Sequence, residues 1–291
     1  MTNHKIHTKG LFIGQNQIYL PSCQSTNESL AFYANEQKTN AKTSIFEGTL
    51  LWTNHQTQGK GQRGNTWTAQ ENQNLTFSIL LNPTFLSTKE SFWITIAVSL
   101  GVRDALEAVL KIDFAEIAED FQIKWTNDIF INHTMNNDQK NKETSQKIGG
   151  ILIENQISST KINQSIIGIG ININQIFAQN NSENDTTNRA ISLKELTNKD
   201  WNKEEVLTEV LFFIEKRYLQ LRAGKKDSLR ADYLSHLFRY QEWHYYKDKL
   251  KNRKITGQIL GINPEGKLAL EIAGQSGKIS YFENKEIEFL Y

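Results

Sequence analysis

Residues 56–64 read Gln56-Thr57-Gln58-Gly59-Lys60-Gly61-Gln62-Arg63-Gly64 and follow the apolar run Thr49-Leu50-Leu51-Trp52. Three glycines, two cations and three glutamines directly after a strand-like segment suit a loop that holds an anion. Glycine lets the backbone approach a ligand closely, and Lys60 and Arg63 supply charge for phosphate or carboxylate oxygens. A polar, glycine-rich loop after a strand also serves as an ordinary tight connection, so its meaning depends on the rest of the chain.

The 291 residues fit one large domain plus a small one, with ample length for a sizeable core. Against 33 Lys+Arg stand 32 Asp+Glu, so the net charge of +1 gives no global attraction to nucleic acid or membrane, and any electrostatic function is local. The single cysteine, Cys23, rules out an intramolecular disulfide framework and a multi-cysteine metal cluster and suits a reducing compartment. Residues 1–9 lack the apolar core of a signal peptide, and no run of about 18 apolar residues occurs, so a cytoplasmic protein with no membrane span is expected. Asn132–Gln146 and Gln175–Asn188 are rich in amides, lack apolar periodicity and read as long surface loops.

Short β-rich runs fall at Thr49–Thr53, Leu75–Leu81, Phe121–Trp125 with Ile129–Ile131, Ile148–Ile153 and Ser165–Ile171, which predicts a sheet of at least five strands. Helical spacing covers Lys89–Leu110 after a capping box at Ser87–Glu90, Lys203–Leu221 after the cap Asn202, and Asp227–Leu237. The element order is α+β. From about Phe238 the pattern changes to closely spaced short strands, with turns at Asn263-Pro264-Glu265-Gly266 and Gly274-Gln275-Ser276-Gly277, so residues 1–237 are expected to form one domain and 238–291 a small barrel.

Four further segments carry chemistry. Ser25-Thr26-Asn27 groups hydroxyls and an amide, and also suits a helix N-cap. Lys124-Trp125-Thr126-Asn127-Asp128 sits between strand residues, as a hairpin corner would. Lys147 precedes the double glycine Gly149-Gly150, and Ile167-Gly168-Ile169-Gly170-Ile171-Asn172 leaves one strand face bare. Glycines on a strand face weaken packing unless something else fills the space; a flat ligand on Gly168 and Gly170 or a crossing helix would do so.

The order and spacing of these motifs, from Ser25 through Asn172 and more loosely to Tyr291, resemble the biotin protein ligases, which attach biotin to a lysine of the biotin carboxyl carrier domain of carboxylases. The resemblance implies a mixed β-sheet catalytic domain with flanking helices, the class II synthetase-like biotin/lipoate ligase fold, followed by an SH3-like β-barrel. It implies two steps: biotin and ATP with Mg2+ give biotinyl-5′-AMP and pyrophosphate, and the carrier lysine then takes the biotinyl group. By resemblance Ser25, Thr26, Asn27, Gln56, Gly150 and Gly168 contact biotin, and Gly59, Lys60, Gly61 and Gln62 cover it. Lys60, Gln62, Arg63, Gly64, Trp67 and Asn172 match positions around ATP and the adenylate. Lys147 matches the lysine that touches both the biotin carboxylate and the α-phosphate, and Asp128 matches an acidic residue suited to orient or deprotonate the carrier lysine.

Two departures stand out. The family's best known members carry arginines where this chain has Lys60 and Gln62, and proline where it has Thr126. Lysine is a point charge without arginine's planar fork, so a weaker grip on the adenylate is expected. About 24 residues precede Ser25, too few for a winged helix-turn-helix, so no DNA binding is expected. Homodimerisation is common in the family. A lipoate ligase or octanoyltransferase is the nearest alternative, although its double-arginine, triple-glycine motif is absent, and a non-catalytic ligand-binding adaptor is the alternative of another class; retention of Lys147 and the charged loop weighs against it.

Overall fold

A computed structural model describes residues 5–39, 45–137, 140–177, 190–275 and 277–290. Among them a seven-stranded mixed sheet has the order β1-β2-β3-β7-β6-β5-β4, formed by Gln17–Cys23 (β1), Leu50–Gln56 (β2), Leu75–Leu81 (β3), Phe121–Lys124 (β4), Asp128–Asn137 (β5), Lys140–Ser158 (β6) and Lys161–Ile171 (β7). Only the β1–β2 pairing is parallel. The helices are Thr26–Thr39 (α1), Phe92–Lys111 (α2), Ala115–Ala118 (α3), Leu193–Thr197 (α4), Lys203–Arg222 (α5) and Lys226–Ser235 (α6).

The two faces of the sheet are covered differently, and the strand period of two decides how. Leu50, Trp52, Phe77, Ile79, Ile167, Ile169 and Ile171 join the main core with α2 and α5. The alternate residues Leu51, Leu80 and Ile166 pack with Leu30 and Ala34 of α1 in a separate small cluster. α1 covers only part of that second face; Gly168 lies against Asn27 at the start of α1, and Gly170 against the Trp67 indole.

Local signals start the helices as the sequence predicts. Ser87 and Glu90 form a reciprocal capping box ahead of α2, and Asn202 caps α5 by accepting from the backbone N–H groups of Glu204 and Glu205. At the crossing of α2 and α5, a Cβ on Gly101 would fall 2.6 Å from Ile214 Cα, so the two backbones touch. The N-terminal segment is sewn to α5 by a buried carboxylate: Glu215 accepts from the backbone N–H groups of Leu11, Phe12 and Ile13 at 2.5, 2.9 and 2.7 Å.

The C-terminal part forms a second, antiparallel sheet of Trp243–Asp248 (β8), Arg253–Ile262 (β9), Leu268–Ile272 (β10), Ile279–Phe282 (β11) and Ile287–Phe289 (β12) in the order β11-β10-β9-β8-β12. It is the expected SH3-like unit, and it packs against the β4 end of the large sheet. Phe238 stacks between Phe130 and Phe289, and Trp125 Nε1 donates to Gly266 O at 2.9 Å.

One expectation fails. Asn132–Gln146 is a β-hairpin in which β5 and β6 pair from Asp128↔Gly150 out to Asn137↔Lys140, with residues 138–139 outside the described residues. Backbone pairing along a hairpin does not require apolar alternation, so the amide-rich composition hid it. Of Gln175–Asn188, residues 178–188 lie outside the described residues; Gln175 is buried and accepts from Gln70 N and Asn74 Nδ2. Among the described residues no helix is long and apolar enough to cross a membrane.

Candidate functional site

The uncovered part of the second sheet face opens into a cavity of about 390 Å3 between the sheet, the glycine-rich loop and the C-terminal unit. Register explains which residues look into it. Ser78 pairs with Gly168, Thr76 with Gly170, Gly150 with Gly170, and Asp128 with Gly150, so these positions share one face.

Lys147 reaches this face through an irregularity. In a regular strand residues 147 and 150 point to opposite sides, but β6 has an extra residue between Gly149, opposite Ile129, and Lys147, opposite Phe130. The bulge turns Lys147 back over Gly150, whose absent side chain leaves room: a Cβ there would sit 3.2 Å from Lys147 Nζ. Lys147 Nζ pairs with Asp128 Oδ1 at 2.6 Å and lies 5.9 Å from the centre of the Trp67 ring.

The two bare glycines are filled by side chains of the chain. A Cβ on Gly168 would overlap Asn27 Oδ1, and one on Gly170 would overlap the Trp67 indole, 2.8 Å from its Nε1. Asn27, Thr26 and Ser25 open α1 and are all buried. Thr26 and Asn27 are tied to the neighbouring strands: Gln56 Oε1 accepts from Thr26 N at 2.8 Å, Ser78 Oγ lies 2.7 Å from both Thr26 Oγ1 and Asn27 Oδ1, and Asn27 Nδ2 donates to Glu154 Oε2 at 2.6 Å. One end of the cavity is thus an array of amides and hydroxyls, the other a lysine–aspartate pair beside an indole.

The loop itself is a narrow flap. Trp67 N donates to Gly59 O, Lys60 pairs with Thr66, and Gly61 N donates to Asn65 O, with a turn of 3-10 helix at Gln62–Gly64 as its tip. Lys60 forms an ion pair with Glu28 in the first turn of α1.

A protein-family model for the biotin/lipoate A/B protein ligase family matches residues 20–172, the span that carries most of β1, all of β2 through β7 and the sheet and flap sides of this cavity. This chain belongs to that family. It is 29% identical over 269 residues to the bifunctional ligase/repressor BirA of Bacillus spizizenii, covering 89% of this chain and 70% of that protein. To the biotin–[acetyl-CoA-carboxylase] ligase of Mycobacterium tuberculosis it is 22% identical over 240 residues, covering 82% and 79%. Among solved structures, the biotin protein ligase of Aquifex aeolicus in complex with biotin and ATP is 27% identical, with a TM-score of 0.67 over 94% of this chain and 98% of that one.

Within this family member, Ser25, Thr26, Asn27, Gln56, Gly150 and Gly168 all line the cavity, as do Lys60, Gly61, Gln62, Trp67, Asp128 and Lys147. Gly59 and Gly64 form the flap's neck and tip without lining the cavity, and the side chain of Arg63 lies outside the described residues. Asn172 is buried behind the wall, donating through Nδ2 to Ile191 O at 3.2 Å.

The sequence assigns no role to Ser78, which lies beside the cavity, or to Thr126 and Lys124, which line it. Ser78 links Thr26 and Asn27, and its position in an apolar strand on the glycine face was the available signal. Thr126 hydrogen-bonds the flap. Lys124 is held between Phe130 and Phe289, 4.7 and 5.3 Å from their ring centres, and burial, reinforced by Lys147 and Arg239 and opposed by Asp128, lowers its pKa from 10.5 to about 8. Since the folded protein releases this proton more readily than the unfolded chain, burial of Lys124 costs stability below about pH 8, and the cost is relieved as pH rises from 8 towards 10.5. The stability of wild type relative to Lys124→Met is therefore expected to increase by roughly 2–3 kcal/mol across that window. Urea unfolding at pH 7.5 and pH 10 measures it; parallel pH profiles would contradict the assignment.

Proposed function

We propose that this chain is an ATP-dependent biotin protein ligase acting on a biotin carboxyl carrier domain. A carboxylate oxygen of biotin attacks the α-phosphorus of ATP, pyrophosphate leaves, and biotinyl-5′-AMP forms. The ε-amine of the carrier lysine then attacks the acyl carbon, the amide bond forms, and AMP leaves with loss of a proton from the amine.

The observation that carries this reading is the placement of Lys147 by its bulge, over Gly150 and beside Trp67, in the same cavity as the polar array. The chemical obstacle in the first step is that a carboxylate must approach a phosphate, and a cation at the meeting point offsets the repulsion and stabilises charge that develops there. We assign that task to Lys147. Ser25, Thr26, Asn27 and Gln56 are assigned to the polar ring system of biotin, for which their mixture of donors and acceptors is suited. Trp67 is assigned to the adenine side, and Lys60 and Gln62, with Arg63, to the flap over the adenylate. Asp128 is assigned to the second step, orienting the carrier lysine, whose ordinary pKa near 10.4 leaves it protonated at neutral pH. Asn172 acts from behind, holding the backbone that presents Lys147.

Mg2+ enters as part of the ATP substrate complex. Among the described residues no group of three or more His, Cys, Asp or Glu could hold a metal without the nucleotide, so the phosphates are its proposed ligands. The same reading places the domain boundary at residues 237/238 and the protein in the cytoplasm, and keeps a homodimer through an edge of the sheet as an expected assembly. Isotope exchange between pyrophosphate and ATP tests it: exchange is expected with biotin and absent with lipoate or octanoate. Exchange driven by lipoate would assign the other branch of the family, and no exchange with any of the three acids would exclude an ATP-dependent ligase, leaving an acyltransferase or a non-catalytic role.

A further inference from the structure

Two of the three positions that depart from the family pattern, Gln62 and Thr126, meet at one point. Gln62, at the flap tip, accepts through Oε1 from Asn284 Nδ2 at 2.5 Å, and Thr126 Oγ1 lies 3.2 Å from the same oxygen and 3.3 Å from the same nitrogen. Asn284 stands in the turn between β11 and β12, so the C-terminal unit reaches across the cavity mouth and holds the tip of the flap. Lys60 anchors the flap's other side on Glu28.

The chemistry of this junction depends on the residues that depart. An arginine at position 62 offers no acceptor to Asn284 Nδ2, and a proline at position 126 offers no hydroxyl. The uncharged carboxamide of Gln62 cannot pair with a phosphate as a cation does, but it can accept from the C-terminal unit.

Resting on the ligase reading above, we propose that Asn284 is a positioning residue for the reaction: through Gln62 it holds the flap over the bound adenylate and sets how long the adenylate stays. Charge on the flap is exchanged for a hydrogen bond between the flap and the C-terminal unit. A neutral hydrogen bond of this kind accounts for about a three- to tenfold change in an equilibrium or a rate.

The test uses the full chain and begins with wild type, whose biotin-dependent pyrophosphate exchange establishes the ligase reading. Without it, that reading fails and the proposal falls with it. With it, release of biotinyl-5′-AMP is followed by stopped flow. Asn284→Ala is expected to release the adenylate about three- to tenfold faster, with the loss falling on KM for biotin rather than on kcat. Gln62→Ala combined with Asn284→Ala is expected to be no faster than either single variant, because both remove the same bond. Gln62→Arg combined with Asn284→Asp, which rebuilds the link as an ion pair, is expected to restore slow release. A second readout is independent of catalysis: tryptic cleavage of the ligand-free protein at Lys60 and Arg63 should accelerate in Asn284→Ala. Unchanged release in Asn284→Ala, additive effects in the double alanine variant, or unchanged cleavage of the flap would each overturn the proposal.

Discussion

Lys147→Ala is expected to lower the rate of biotinyl-5′-AMP formation by about 10²- to 10³-fold, the loss typical of removing one stabiliser of developing negative charge. Two effects add here. The ammonium that would stand between carboxylate and phosphate is gone, and Asp128, its partner at 2.6 Å, is left as an unpaired negative charge in the place where two anions must meet. The second effect is separable. Lys147→Ala combined with Asp128→Asn should recover part of the first-step rate, because the repulsion is removed although the stabiliser is still missing. The same double variant should stay defective in transfer to the carrier lysine, the step assigned to Asp128. Single-turnover measurement of pyrophosphate release, with labelled biotin transfer to a purified carrier domain, reads both steps. A loss of less than tenfold in Lys147→Ala would remove Lys147 from the centre of the chemistry. The fold should survive, since the side chain is partly exposed and the bulge is a backbone feature.

Gly170→Ala carries the other large effect. The added methyl would overlap the Trp67 indole, and the strand cannot retreat, because Gly170 is paired on one side with Thr76 and on the other with Gly150. The indole must therefore leave the sheet. Overpacking of this kind costs about 1–3 kcal/mol, and here the strain falls on the wall assigned to the adenine, so KM for ATP is expected to rise about tenfold or more. Trp67→Ala should have a similar effect on ATP, and adding Gly170→Ala to it should change little further, since nothing remains for the methyl to strike. Gly168→Ala is the control of position. Its methyl would displace Asn27 from the network with Ser78, which shifts the defect from ATP to biotin. If both glycine variants raised the two KM values equally, the division of the cavity into a polar end and an indole end would be wrong.

The bare strand face of Gly168 and Gly170 shows how far motif reading goes. Missing side chains on alternate residues announce that something lies on that face, and α1 and the flap supply it through Asn27 and Trp67. Which object lies there is a long-range fact: 141 positions separate Asn27 from Gly168 in the chain, and no local pattern encodes their contact. β1 escaped notice for a different reason. Gln17–Cys23 is an edge strand with no buried residue, and Pro21 interrupts it, so the apolar alternation that identifies a strand is missing. The β5–β6 hairpin escaped likewise, its polar residues held by backbone pairing that does not require a hydrophobic face. By contrast Leu75–Leu81, the Ser87–Glu90 capping box and the Asn202 cap depend on neighbours a few residues away, and all three stand where the sequence places them.

Short-range chemistry in the sequence is thus enough for the strands of the buried sheet, the starts of α2 and α5, the turns of the C-terminal unit and the order of motifs that marks the family. It is also enough to name Ser25, Thr26, Asn27, Gln56, Trp67, Asp128 and Lys147 among the residues that line the cavity. Three things needed the folded chain. A single extra residue in β6 decides that Lys147 faces the cavity, because the strand period alone would turn it away from Gly150. Close packing of the C-terminal unit on the β4 end decides that Lys124 is desolvated. And the meeting of Gln62, Thr126 and Asn284, drawn from three distant segments, decides what holds the flap. Each depends on distances between residues remote in sequence, which are set by the packing of whole elements and leave no periodic or local trace in the chain.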